Sequence, residues 1–345
     1  MGSHRRSPVS PRALTGQGAR VTVLSAAFAT AATTLAAAPA GAAPPERPER
    51  ARAEVRRLYT EAERATQAYN GAGEKARTLR TALSRTQDRM ARTQDRVNAL
   101  REALAPVAGA QYRSGGLDPA LMLLLSADPD GYLDQATTLE RMGVVGEQRL
   151  RGLRDARRTL DQERREADAL LGELERSRRT LARHKDTVRQ RLARAKALLA
   201  ALPEGERALD ARASRSGRPD AGLPPTGAAA SPHAAAALAT ARTALGSPYV
   251  WGANGPSRFD CSGLIQWSYA RAGVGLPRTS QAQAGAGRRI PLSEARPGDL
   301  VVYRADASHI GLYAGGGRVI HAPYPGAPVR YDPVGMMPVS SVTRV

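Results

Sequence analysis

His309-Ile310-Gly311-Leu312-Tyr313-Ala314-Gly315-Gly316-Gly317-Arg318-Val319-Ile320-His321 is the stretch on which the fold turns. Two short apolar runs flank three glycines, the composition of a hairpin between antiparallel strands. A turn centred on Gly315 sets His309 directly opposite His321. One centred on Gly316 sets His321 opposite Gly311, on the face to which His309 points. Either register places both imidazoles on one side of the sheet, whereas a slip of one residue separates them. Just upstream, Leu300-Val301-Val302-Tyr303 follows Pro297-Gly298-Asp299 and reads as a further strand. Before it, residues 234–245 read as a helix that stops at Gly246, and residues 262–272 as a second, with Gly273 suited to the position after its C-cap. Helices first and strands afterwards predict an α+β domain with an antiparallel sheet over residues 233–345.

Cys261 is the only cysteine of the chain, so it can form no internal disulfide and is either a buried free thiol or a reactive one. It directly precedes the helix at 262–272, where unpaired N–H groups and the helix dipole favour a thiolate. The polar, glycine-containing loop Tyr249-Val250-Trp251-Gly252-Ala253-Asn254-Gly255-Pro256 lies close to it in sequence and favours the reactive reading. A thiolate nucleophile needs a base. Of the five histidines, His4 falls in an amino-terminal leader, His184 on a helical seam and His233 at the domain edge, which leaves His309 as base and His321 to orient it. A zinc site built from Cys261, His309 and His321 is the rival use of the same groups. It is disfavoured because cysteine ligands usually come in close pairs and neither C-x-x-C nor H-E-x-x-H occurs in the chain. No metal and no cofactor is expected.

Pro248-Tyr249-Val250-Trp251-Gly252, Phe259-Asp260-Cys261-Ser262-Gly263-Leu264, Leu276-Pro277-Arg278-Thr279-Ser280, Pro297-Gly298-Asp299-Leu300, His309-Ile310-Gly311-Leu312-Tyr313 and Val319-Ile320-His321-Ala322 together closely resemble an NlpC/P60 domain. The resemblance implies a papain-like fold and a cysteine endopeptidase that cuts peptidoglycan stem peptides, commonly between D-isoglutamate and diaminopimelate. It implies nucleophile, base and orienting roles for Cys261, His309 and His321. Tyr249 matches a tyrosine that shapes the oxyanion and substrate site, and Asp260 and Ser262 match residues flanking the nucleophile. Ala253 departs from the glycine many members carry there. An amidase or acyltransferase on the same triad, and a non-catalytic wall or divisome scaffold, are the alternative readings.

The amino-terminal half is different in kind. Val55, Leu58, Ala62, Ala65, Tyr69, Ala72, Ala76, Leu79, Leu83, Thr86, Met90, Thr93, Val97, Leu100 and Leu104 recur in steps of three and four, and a second series runs from Leu153 through Ala156, Leu160, Glu163, Ala167, Leu170, Leu174, Ser177 and Leu181 to Val188. Residues 44–202 are therefore expected to form an antiparallel coiled-coil hairpin, with Gly71 and Gly73 as weak points and a small helical lobe near 106–131. Residues 203–232, rich in proline and glycine, read as a flexible linker. Residues 1–43 carry arginines, an apolar stretch and small residues, the layout of a secretory signal peptide; an uncleaved anchor is the competing reading, and alanine and threonine make it a weak span. Secretion to the cell wall follows as an expectation. More loosely, this half resembles coiled-coil regions that precede wall-hydrolase peptidase domains. That implies docking on a membrane complex or occlusion of the active site. The net charge of +19 attracts polyanions without choosing among them. Because no segment concentrates that charge, no nucleic-acid partner is expected.

Overall fold

The computed structural model describes residues 48–113, 121, 124, 132–205 and 227–345. The expected leader at 1–43 and most of the expected linker (206–226) lie outside the described residues, as does most of the expected lobe beyond Arg113. Residues 46–345 form one compact unit. Two long helices open it, α1 (Pro48–Arg113) and α2 (Tyr132–Ala201). They lie against each other along the seam the periodicity marks: Val55, Leu58, Ala62, Ala76, Leu79 and Val97 of α1 are buried, as are Ala156, Leu160, Leu174 and Val188 of α2.

α1 is longer and more continuous than its sequence suggests. It runs without a break through Gly71 and Gly73, and through Pro106 to Arg113. Both glycines lie at packed positions, where a Cβ would make ordinary contact at 3.6 Å with the Thr279 methyl (Gly71) and with Leu181 (Gly73), so the helix is held by its neighbours there. Tertiary contact there overrides a propensity deficit of about 1 kcal/mol per glycine. No described helix is long and apolar enough to cross a membrane.

The remaining residues build an α+β domain. α3 (Pro232–Thr243) starts at Ser231, whose side chain caps the Ala234 N–H. α4 (Cys261–Arg271) starts at Asp260, which caps Gly263, and α5 (Ser280–Ala284) is a short turn capped by Thr279. Six strands follow: β1 (Arg288–Ile290), β2 (Leu300–Tyr303), β3 (His309–Gly315), β4 (Arg318–His321), β5 (Arg330–Pro333) and β6 (Val339–Arg344). They form one sheet in the order β1-β6-β2-β3-β4-β5, and every pair is antiparallel. One face of the sheet meets α3 and α4 through Leu238, Leu264, Ile265, Leu300, Ile310 and Ile320; the other carries a smaller cluster with Val301, Tyr303, Val319 and Val342.

The hairpin that opens this reading adopts the second of its two registers. Leu312 pairs with Ile320 and Tyr313 with Val319, so His321 falls opposite Gly311. A side chain at 311 would meet the His321 Cβ at 3.3 Å. All three turn glycines take positive φ, the conformation that L side chains avoid. β1 and β5 have only three and four residues, too few for a periodicity to show, and β6, Val339-Ser340-Ser341-Val342-Thr343-Arg344, does not alternate apolar with polar residues.

Candidate active site

The site is assembled where the amino end of α4 meets the start of β3 and the end of β4. Cys261 is the first residue of α4. Asp260 fixes that end by accepting from the Gly263 N–H at 2.7 Å and from the Gly252 N–H at 2.9 Å, which ties the preceding loop to the helix. Gly263 has no room for a side chain, since a Cβ would lie 2.1 Å from the Ala253 carbonyl oxygen. The Arg278 guanidinium, itself buried, spans Asp260 at 2.6 and 2.9 Å and Ser262 Oγ at 2.9 Å. Asp260 and Ser262 therefore act as the frame that aims Cys261.

His309 opens β3 and His321 closes β4, and the hairpin register brings His309 Nε2 to 2.8 Å from His321 Nδ1. His321 Nε2 in turn lies 2.8 Å from Asp332 Oδ2 on β5. The direction of this relay follows from chemistry. A carboxylate only accepts, so His321 carries its hydrogen on Nε2. Burial, strengthened by the neighbouring His309 and opposed by Asp332, depresses the His321 pKa to about 4, and a neutral ring leaves Nδ1 as an acceptor. His309 must then donate through Nε2, which leaves its Nδ1 to groups on the other side of the ring. The Cys261 sulfur and a His309 ring nitrogen lie within 4.8 Å of each other.

Helix α1 lies across this pair. The Glu63 carboxylate binds His309 Nδ1 through one oxygen and Arg304 Nη1 through the other, the latter at 2.5 Å. Four residues on, Gln67 donates to Cys261 Sγ at 3.4 Å while its carbonyl accepts from the Ser280 N–H at 2.9 Å and from Ser262 Oγ at 3.2 Å. Asn70 donates to Asp260 at 3.0 Å. Thr66 shares a hydrogen bond with Tyr249, and Tyr69 meets Trp251 edge-on at 5.2 Å. Cys261 and His309 have no exposed surface in this arrangement.

That cover reverses the expected electrostatics of the sulfur. Burial, followed by the charges of Glu63 and Asp260, pushes the Cys261 thiol well above its ordinary range, and the Ser262 N–H offsets it only in part. The depressed thiol pKa expected from the helix end is not realised while α1 is seated, because desolvation outweighs a dipole effect of about 1 kcal/mol. Glu63 is held below its usual range despite burial, since His309 and Arg304 together outweigh desolvation. As a carboxylate it accepts the hydrogen from His309 Nδ1. His309 Nδ1 is thereby occupied and the Cys261 thiol is held in its neutral form.

Tyr249 is buried beside Cys261 and its hydroxyl pKa is raised, chiefly by desolvation and then by the nearby sulfur and carboxylates. All six residues singled out in the sequence thus gather around one point, joined by Glu63, Gln67, Asn70, Arg278, Arg304 and Asp332. Glu63, Cys261 and His309 offer three donor atoms within 4.8 Å of one another. The carboxylate among them is already bound by Arg304 and the imidazole, an ion-pair arrangement that does not call for a metal.

Comparison with known proteins matches residues 246–342 to the NlpC/P60 family model. A probable endopeptidase of Corynebacterium glutamicum is 47% identical over 104 residues, which is 30% of this chain and 50% of that protein. The probable endopeptidase p60 of Listeria monocytogenes is 48% identical over 97 residues, 28% of this chain and 20% of that one. Among solved structures, the NlpC/p60 domain of peptidoglycan hydrolase SagA is 35% identical, with 32% of this chain and 98% of that chain covered and a TM-score of 0.31. The chain therefore spans half or less of the length of these two curated relatives.

Proposed function

We infer that this chain, which belongs to the NlpC/P60 family through residues 246–342, is a cysteine endopeptidase of peptidoglycan stem peptides whose own first helix holds it off. The observation that carries the reading is the chain of groups Cys261, His309, His321, Asp332: His309 Nε2 is taken by His321, and a His309 ring nitrogen lies within 4.8 Å of the sulfur, which supports Nδ1 as the atom that serves the thiol once Glu63 leaves it. With Glu63 and Gln67 withdrawn, His309 takes the thiol proton and the thiolate attacks the stem-peptide carbonyl. The tetrahedral oxyanion is steadied by backbone N–H groups at the start of α4 and by the Tyr249 hydroxyl. His309 then protonates the leaving amine. The acyl-enzyme is released by a water that gives its proton back to the same nitrogen.

The scissile bond we assign is that between D-isoglutamate and diaminopimelate, and the place of action is the cell wall, after export directed by residues 1–43. The distal end of the hairpin exposes Met142, Val144, Val145 and Leu150, the surface we assign to a membrane-complex partner. The test is digestion of purified peptidoglycan fragments by the full chain and by the Glu63→Gln/Gln67→Ala double variant, with products identified by mass. The double variant is expected to release fragments cut at that bond, with Cys261→Ala added as the blank. Products unchanged by Cys261→Ala would end the enzymatic reading. Release of intact stems from sugar would replace it with an amidase.

A further inference from the structure

Arg304 is the first residue after β2, and it adopts φ +64°, a left-handed conformation that non-glycine residues seldom adopt without a compensating role. Its guanidinium, four-fifths buried, is directed at the catalytic base: one nitrogen binds Ser308 Oγ at 3.2 Å, and the same nitrogen binds the Glu63 carboxylate whose other oxygen is on His309 Nδ1. A second residue of α1, Arg64, pairs with Asp306 in the same turn. Arg304 and His309 therefore form a two-pronged seat for a carboxylate, and the helix fills it from within the chain. The cavity beside it, of about 450 Å³, is lined by Arg52, Arg56, Arg304 and Arg330 together with the carboxylates Glu63 and Asp332; Asp332 is paired with Arg330, so Glu63 is the acid whose place on Arg304 a substrate carboxylate would take.

We propose that Arg304 is a specificity-determining residue that binds a carboxylate of the substrate on the residue whose amine departs, and that Glu63 imitates this carboxylate. This rests on the endopeptidase reading above. The side of the scissile bond follows from the proton path. His309 Nδ1 must stay free to deliver its proton to the leaving amine, so a carboxylate that is held by Arg304 alone, beside that nitrogen, belongs to the amine-bearing residue and not to the acyl half held on Cys261. The chemical class is an acidic peptide with a free carboxylate next to the released amine. Such a group gains a charge-assisted bond from a desolvated guanidinium, and its carboxamide counterpart does not.

The experiment uses the full chain carrying Glu63→Gln and Gln67→Ala, and two synthetic peptides that differ only in a carboxylate or carboxamide on the leaving residue. The carboxylate peptide is expected to be cut with a kcat/KM about 10 to 100 times higher, mainly through KM. Adding Arg304→Gln is expected to shrink that ratio below about threefold, and Arg304→Lys to restore part of it, with thermal unfolding showing that each variant is folded. A ratio that survives Arg304→Gln, or equal cleavage of both peptides by the parent, overturns the assignment of Arg304 while leaving the endopeptidase intact. Cleavage of neither peptide by the folded parent sinks both.

Discussion

Asp332 ends a relay that begins at the sulfur. Because it accepts from His321 Nε2, it sets the tautomer of both imidazoles. Asp332→Asn can donate where the carboxylate only accepts, which turns the relay round and protonates His309 on the wrong nitrogen. In the Glu63→Gln/Gln67→Ala background, kcat is expected to fall about 10- to 100-fold with KM little changed. That is less than the roughly 10⁴-fold loss when such a carboxylate touches the base directly. A variant as fast as its parent in stem-peptide hydrolysis would show that the second imidazole is held by other means. Arg278 belongs to the frame and not to the chemistry: it and Asp260 are buried at 3% and 0% exposure. Arg278→Ala leaves Asp260 charged and uncompensated in the interior, so unfolding in denaturant should show a loss of about 3 to 5 kcal/mol. The cysteine and both histidines are legible in sequence because a hairpin signal and a helix start constrain them within short windows. Asp332 is not. It lies in a four-residue strand ending at Pro333, and nothing local distinguishes it from a solvated loop acid.

At the level of elements, the decisive contact joins α1 to the catalytic cleft, with Glu63 and His309 separated by 246 positions along the chain. The heptad seam of α1 is readable because apolar positions repeat in phase. The polar stripe Glu63, Gln67, Asn70 sits one step around the helix, at spacings of four and three, and in isolation it looks like an ordinary wet face. Only its burial, with Glu63 6%, Gln67 3% and Asn70 4% exposed, reveals a second interface. Removing the two central contacts in Glu63→Gln/Gln67→Ala strips His309 Nδ1 of its carboxylate partner and the sulfur of its cap. Alkylation of Cys261 by iodoacetamide near neutral pH should then accelerate at least tenfold relative to the unaltered chain, since only the thiolate reacts and its pKa is freed from desolvation and from Glu63. Equal rates in the two proteins would mean that the helix leaves the thiol accessible by some other motion.

For the whole molecule, acid is the condition that tests how tightly the parts are joined. His321 titrates near pH 4 when folded against an ordinary 6.5, so the unfolded chain takes up the proton first as pH falls. The stability this neutral ring confers is complete above about pH 6.5 and is lost progressively down to about pH 4, at roughly 1.4 kcal/mol per unit. Glu63 and Asp332, both held below their usual range by charged partners, lose their contributions further down the same slope. Denaturant midpoints taken near pH 7 and near pH 4.5 should differ more for the parent than for His321→Gln; an equal drop would assign acid sensitivity to the carboxylates alone. The α+β class was legible from the order of helices and strands. The association of its two halves was anticipated only as one option implied by the family likeness; which face of α1 would be covered was not legible, because a stretch rich in alanine and arginine says little about which of its faces another element will cover.

On the autoinhibited reading proposed above, the plug on the cleft belongs to the same polypeptide, and this changes the kind of inhibitor it would be. A tethered group competes at an effective concentration in the millimolar range that dilution cannot lower. Soluble fragments present at micromolar levels would rarely displace Glu63 and Gln67, so scattered debris would leave the protein silent. Sensitivity would instead be reserved for whatever pulls on or bends the long rod, and the onset of cutting would follow first-order kinetics regardless of how many copies are present.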